Sequence, residues 1–184
     1  MTIVRVASSM TRVRLGGASL VLCSTLLVAA CYESAFPIEP RPKADIDRAL
    51  PGTWRCLPFD QDPSEKAATI TIAPEKEKVY AVTLQEDGGQ ASRYEVFASS
   101  AAEGLLNVRE LADGDKKPWM FVRATLLKPS VMQLQVLDKR AMPTTELKTT
   151  EELRKAVEHA RGKPDAFSDV CICVRARQEK SGPL

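Results

Sequence analysis

Hydrophobic and polar positions alternate along most of this chain. The runs Thr53 to Leu57, Ala67 to Ala73, Val79 to Leu84, Arg93 to Ser99, Leu105 to Leu111, Trp119 to Leu127 and Val131 to Asp138 are rich in β-branched and aromatic residues. Period-2 alternation puts every second side chain on one face, so each run predicts a strand with one buried face. Glu86-Asp87-Gly88-Gly89, Asp113-Gly114-Asp115 and Lys128-Pro129-Ser130 separate neighbouring runs as hairpin turns do. The spacing predicts an antiparallel sheet or barrel.

The period changes at "TTEELRKAVEHARGKP". Thr149 followed by Glu152 fits a capping box, and Glu151 and Glu152 favour a helix N-terminus. Leu153, Ala156, Val157 and Ala160 recur at helical spacing, and Gly162 and Pro164 end the pattern. A single apolar stripe predicts a helix lying on the outside of the sheet. One more strand, Asp169 to Ala176, closes the pattern. The predicted class is mainly β: an antiparallel barrel or strongly curved sheet of about eight strands, with one helix before the last.

The first thirty residues break from all this. They carry Arg5, Arg12 and Arg14, no acidic residue, and an apolar or small stretch from Leu15 to Ala30. A positive start, a short apolar centre and small residues at the end make a secretory signal. The stretch is too short to span a bilayer comfortably, which takes about 20 residues. Val28-Ala29-Ala30-Cys31 resembles the bacterial lipobox. That resemblance implies cleavage before Cys31, a diacylglycerol on its thiol, and anchoring to the membrane by several acyl chains. Tyr32, rather than an aspartate, follows the cysteine, which in this resemblance implies the outer membrane, facing the periplasm.

Removing the leader changes the charge picture. It holds three of the 26 Lys and Arg and none of the 24 Asp and Glu, so the remaining 154 residues balance to −1. A near-neutral, mixed-sign surface speaks against nucleic acid as a partner. The expected organisation is a signal peptide over 1–30, a lipidated N-terminus and proline-rich tether over 31–46, a β domain over 47–178 and a tail over 179–184. The tether reading rests on Pro37, Pro40 and Pro42, which favour an extended segment of about 30 Å. Phe36 and Ile38 offer the alternative that this segment packs along the domain.

Gly52-Thr53-Trp54 at the head of the first strand, a meander of strands, one helix and a last strand resemble the lipocalin group of barrels. The chain is also similar to small bacterial lipoproteins with Leu-x-Gly-x-Trp after the lipidated cysteine, here Leu50 to Trp54. The lipocalin resemblance implies that Trp54 closes the base of the barrel, that an arginine stacks on it, and that the last strand pairs beside the first. Arg140 is the candidate for that arginine.

Candidate chemistry is sparse. Cys56, Cys171 and Cys173 remain once Cys23 and Cys31 are accounted for. Cys171 and Cys173 share one strand face with Cα atoms about 6.7 Å apart and parallel side chains, which disfavours a bond between them. If the first and last strands are neighbours, Cys56 faces one of the two, and an oxidising compartment favours a disulfide to Cys171 or Cys173. Against a zinc site from the three thiols and His159 stand the place of His159 on the helix and a spacing that matches no zinc motif. Glu110, Asp113 and Asp115 read as a solvated turn. No Gly-x-Ser-x-Gly is present and His159 is the lone histidine, so the chain is expected not to be an enzyme and to need no cofactor or metal. Trp54, Phe97, Trp119 and Phe121 are candidates to line a ligand cavity. The expectation is a lipid-anchored periplasmic binding module for a small apolar ligand. The alternative is a structural or protein-interaction lipoprotein with a filled core.

Overall fold

The computed structural model describes residues 31–59, 66–76, 78–100, 104–112 and 117–177. The leader, its lipobox residues Val28 to Ala30, the turn residues Asp113 and Asp115, and the tail lie outside the described residues. The elements run β1 (Glu33–Ser34), β2 (Gly52–Pro58), β3 (Ala68–Lys76), β4 (Val79–Glu86), β5 (Ala91–Ala98), β6 (Leu105–Glu110), β7 (Trp119–Lys128), β8 (Val131–Leu137), α1 (Thr150–Ala160) and β9 (Phe167–Arg175).

Strands β2 to β9 form a closed eight-stranded antiparallel barrel. Each pairs with the next, and β9 pairs with both β8 and β2. The strand after the helix is therefore the eighth stave, and no long barrel edge is left open. Following paired residues once around gives a register stagger of about 12 residues, larger than the strand number. Greater stagger tilts the strands further from the axis and widens the barrel.

Alternation sorts side chains into two cores. Trp54, Cys56, Ile70, Val96, Met132, Cys171 and Cys173 are buried inside the barrel, with Ile46 and Leu50 beneath them. Phe97, Leu105, Trp119, Phe121 and Leu137 point outward from β5 to β8 and are covered by Leu153, Val157 and Ala160 of α1. The helix starts as its sequence predicts: Thr149 Oγ1 accepts the Glu152 N–H at 3.1 Å. Its apolar stripe needs an apolar partner, and the outward aromatics provide it.

The proline-rich segment does not project as a tether. It straps the same outer face, because Phe36 and Ile38 find more apolar surface there than an extended chain would. The Tyr32 N–H donates to Leu137 O at 2.9 Å, and β1 pairs with Trp119 and Met120 of β7. The Ile38 N–H donates to the buried Asn107 Oδ1 at 2.9 Å. The Glu39 carboxylate accepts from the Ser100 backbone N–H at 3.0 Å and from its hydroxyl at 2.6 Å. Ala44 then bridges Ala98, and the chain enters the barrel base through Ile46 and Leu50.

Candidate functional site

The two ends of the barrel differ. The base is sealed by Trp54, which has no exposed surface. Its indole N–H donates to Leu50 O at 2.8 Å, which ties the preceding turn under the barrel. The arginine stacked on Trp54 is Arg175, with its guanidinium carbon 4.2 Å from the ring centroid. Arg140, the candidate from sequence, stands instead at the opposite end, paired with Asp138 at 2.6 Å. The reason is register: Arg175 lies directly across from Trp54 on β9. Beside this seal an open cleft of about 450 Å³ is lined by Gly52, Thr53, Ser130, Arg175, Ala176 and Arg177.

Strands β2, β4, β6 and β8 run toward the opposite end, which we call the mouth. Strand alternation turns Leu84, Tyr94, Met120, Leu134 and Val136 toward the lumen there, and all are half-buried. Glu86, Ser92 and Glu110 follow them at the rim. Burial pushes the Tyr94 hydroxyl above its usual value, and the Glu110 and Glu86 carboxylates add to the effect, while a hydrogen bond with Ser92 opposes it. This end thus has an apolar lining beneath a polar, acidic rim.

Three sulphurs meet inside. Cys56 and Cys173 are register partners with Cα atoms 3.9 Å apart, and they form a disulfide. Cys171 stays a thiol, 3.6 Å from the Cys173 sulphur. The three sulphur positions lie within 4.8 Å of one another. His159 is exposed on α1, outside the barrel, so the structure does not bring it to them. Desolvation pushes the Cys171 thiol up to about 12, which keeps it protonated and a poor nucleophile.

The four aromatics do not line one cavity. Trp54 is inside the barrel, whereas Phe97, Trp119 and Phe121 belong to the outer core. The cause is parity: odd-numbered positions of β5 and β7 point outward, and α1 and the strap cover Phe97, Trp119 and Phe121 there. Phe97 and Trp119 meet edge to face at 5.4 Å, and Tyr32 stacks on Phe121 at 6.2 Å. Arg109 lies over Trp119 at 4.4 Å and pairs with Glu95 at 2.5 Å.

Sequence reasoning missed Arg175, Asn107 and Asp138. Asp138 is fully buried at the mouth end, where it accepts from the Arg140 side chain, the Arg140 backbone N–H and Ser168 Oγ. The Arg140 hydrogen bond, then Ser168 and the Arg140 backbone, hold its carboxyl well below the usual range against the opposing effect of burial. Its only sequence signal was its place at the end of a strand. No protein-family model, curated protein or solved structure matches this chain.

Proposed function

We propose that this protein is a lipid-anchored, non-catalytic binding module of the bacterial cell envelope. In this reading Cys31 carries the acyl chains, the domain faces the periplasm from the outer membrane, and the lumen takes a small apolar ligand. The observation that carries the ligand is the set of half-buried apolar side chains that alternation turns into the barrel. Leu84, Tyr94, Met120 and Val136 near the mouth are half-buried, as are Ile72, Tyr80 and Leu126 toward the base, around the fully buried Trp54, Met132 and Cys173. Eight strands suffice to hold one small ligand. The test is mass spectrometry of lipid extracts from natively purified protein, joined to titration with a fluorescent naphthylamine probe. Saturable probe binding that Leu84→Trp abolishes is expected. A wild-type protein that neither carries a lipid nor binds the probe refutes the ligand.

A second reading, a protein-interaction lipoprotein, draws on the closing seam. Leu57, Phe59 and Val174 are 58%, 48% and 50% exposed there. They make an apolar strip on the outer face around β2 and β9, the kind of surface that protein partners cover. Cross-linking in intact cells through a photoreactive group at Leu57 tests it. One discrete adduct supports this reading, and none argues against it.

A further inference from the structure

The strap determines where lipids on Cys31 leave the barrel. Cys31 forms a β-bridge with Asp138, the first residue beyond β8, at the mouth end. From there the chain is pinned by the Tyr32 N–H on Leu137 O, the β1 pairing with β7 and the Ile38 N–H on Asn107. The stacked rings of Tyr32 and Phe121 add to the hold. The slack that a free proline-rich tether would supply is therefore taken up. The base lies a strand length away, roughly 20 Å for the seven residues of β8 at strand rise.

We propose that the mouth of the barrel faces the bilayer, so that the lumen opens onto the lipid phase from which the ligand is drawn. This rests on the reading of Cys31 as the lipid attachment point. The partner is the membrane that holds the anchor. Its phosphate headgroups meet Lys117, Lys139 and Arg140, all exposed at this end, with Lys139 and Arg140 directly following the bridge partner of Cys31. These cations share the mouth with the acidic Glu86 and Glu110 of the rim, so the placement of Cys31, and not net charge, carries the orientation. The base offers no comparable route, because acyl chains leaving Cys31 would have to cross the length of the barrel to put it against the membrane.

The experiment uses the full lipidated protein in vesicles of phosphatidylethanolamine and phosphatidylglycerol that contain a headgroup spin-labelled lipid. A fluorophore is attached at Gln90→Cys, in the β4–β5 turn across the mouth from the anchor, or at Ser130→Cys, in the β7–β8 turn at the base. Both are made in a Cys171→Ser background, so that only the new thiol reacts. Quenching severalfold stronger at position 90 than at position 130 is expected. A flexible Gly/Ser insertion between Cys31 and Tyr32 is expected to abolish the difference, because it restores free rotation of the domain. Equal quenching without the insertion, or stronger quenching at position 130, overturns the orientation and leaves the anchor standing. Failure of the lipidated protein to float with vesicles refutes the anchor, and the orientation falls with it.

Discussion

Arg175 stacks on Trp54 and donates hydrogen bonds from the same guanidinium to the carbonyls of Ala49 and Pro51. One side chain from the last strand thus grips the first strand's tryptophan and the turn beneath it. Each partner is expected to be costly to remove. Trp54→Ala should lose about 3–5 kcal/mol, as large aromatic truncations in cores do. Arg175→Ala should lose on the order of 3 kcal/mol, from the cation–ring contact and two carbonyls left without donors. Because the residues touch, the double variant should lose clearly less than the sum in urea unfolding. Strict additivity would mean that the stack contributes nothing.

Gly52 stands against the same guanidinium. Its φ of +134° suits glycine, and a Cβ there would come within 2.6 Å of Arg175 Nη1. Arg175 cannot retreat without giving up its carbonyl partners. Gly52→Ala is therefore expected to destabilise by about 1–3 kcal/mol, measured by thermal or urea denaturation. A neutral result would show that the base tolerates rearrangement.

These two cases mark what the sequence makes legible. The strands, the helix with its Thr149 cap and the place of Trp54 follow from periodicity and local chemistry, which short windows record. The partner of Trp54 does not, because Arg175 meets it only through closure of a barrel 121 positions later in the chain. Phe36 and Ile38 sit among prolines, and the pull of composition toward an extended tether conceals an apolar strap. The outer aromatics Phe97, Trp119 and Phe121 read as cavity residues because sequence alone does not say which face of a strand meets a helix and which meets a lumen. The mouth was not legible for the same reason. It is defined by axial height around the barrel, a property of register rather than of any local run.

Asp138 predicts an acid-sensitive mouth. Its carboxylate is fully buried and held ionised by Arg140 and Ser168, with a folded value well below the ordinary one. A depressed carboxyl stabilises the fold above its unfolded value of about 4, and that contribution is lost as pH falls through the folded value. Asp138→Ala should therefore cost on the order of 3 kcal/mol at neutral pH, and the gap to wild type should narrow steadily below about pH 4. Urea midpoints measured across that range give the answer. A gap that does not change with pH would mean that Asp138 acts through packing rather than charge.

The disulfide joins the two strands that close the barrel. Cys56 on β2 and Cys173 on β9 are 117 positions apart in the chain and directly opposed in register. Constraining so long a loop in the unfolded state is worth ~4–5 kcal/mol in the chain-entropy model, an upper guide because native strain and residual structure subtract. Paired Cys56→Ala and Cys173→Ala substitutions should recover a large part of that figure as lost stability. Cys171 lies 3.6 Å from the Cys173 sulphur and would exchange with the bond if it ionised. Desolvation holds its thiol at about 12, against an ordinary value of 9.0, so at neutral pH it stays protonated. Peptide mapping without reductant should therefore find Cys56 joined to Cys173 alone. Cys171 should react with a maleimide only after unfolding. A raised thiol also fixes the alkaline behaviour: its contribution is complete below about pH 9 and is lost as pH rises toward about 12, because only the unfolded thiol ionises in that window. Replacing Cys171 by Ala should flatten the decline of stability over that range. A Cys56–Cys171 bond at neutral pH, or rapid labelling of Cys171 in the folded protein, would show that the three sulphurs exchange freely inside the barrel.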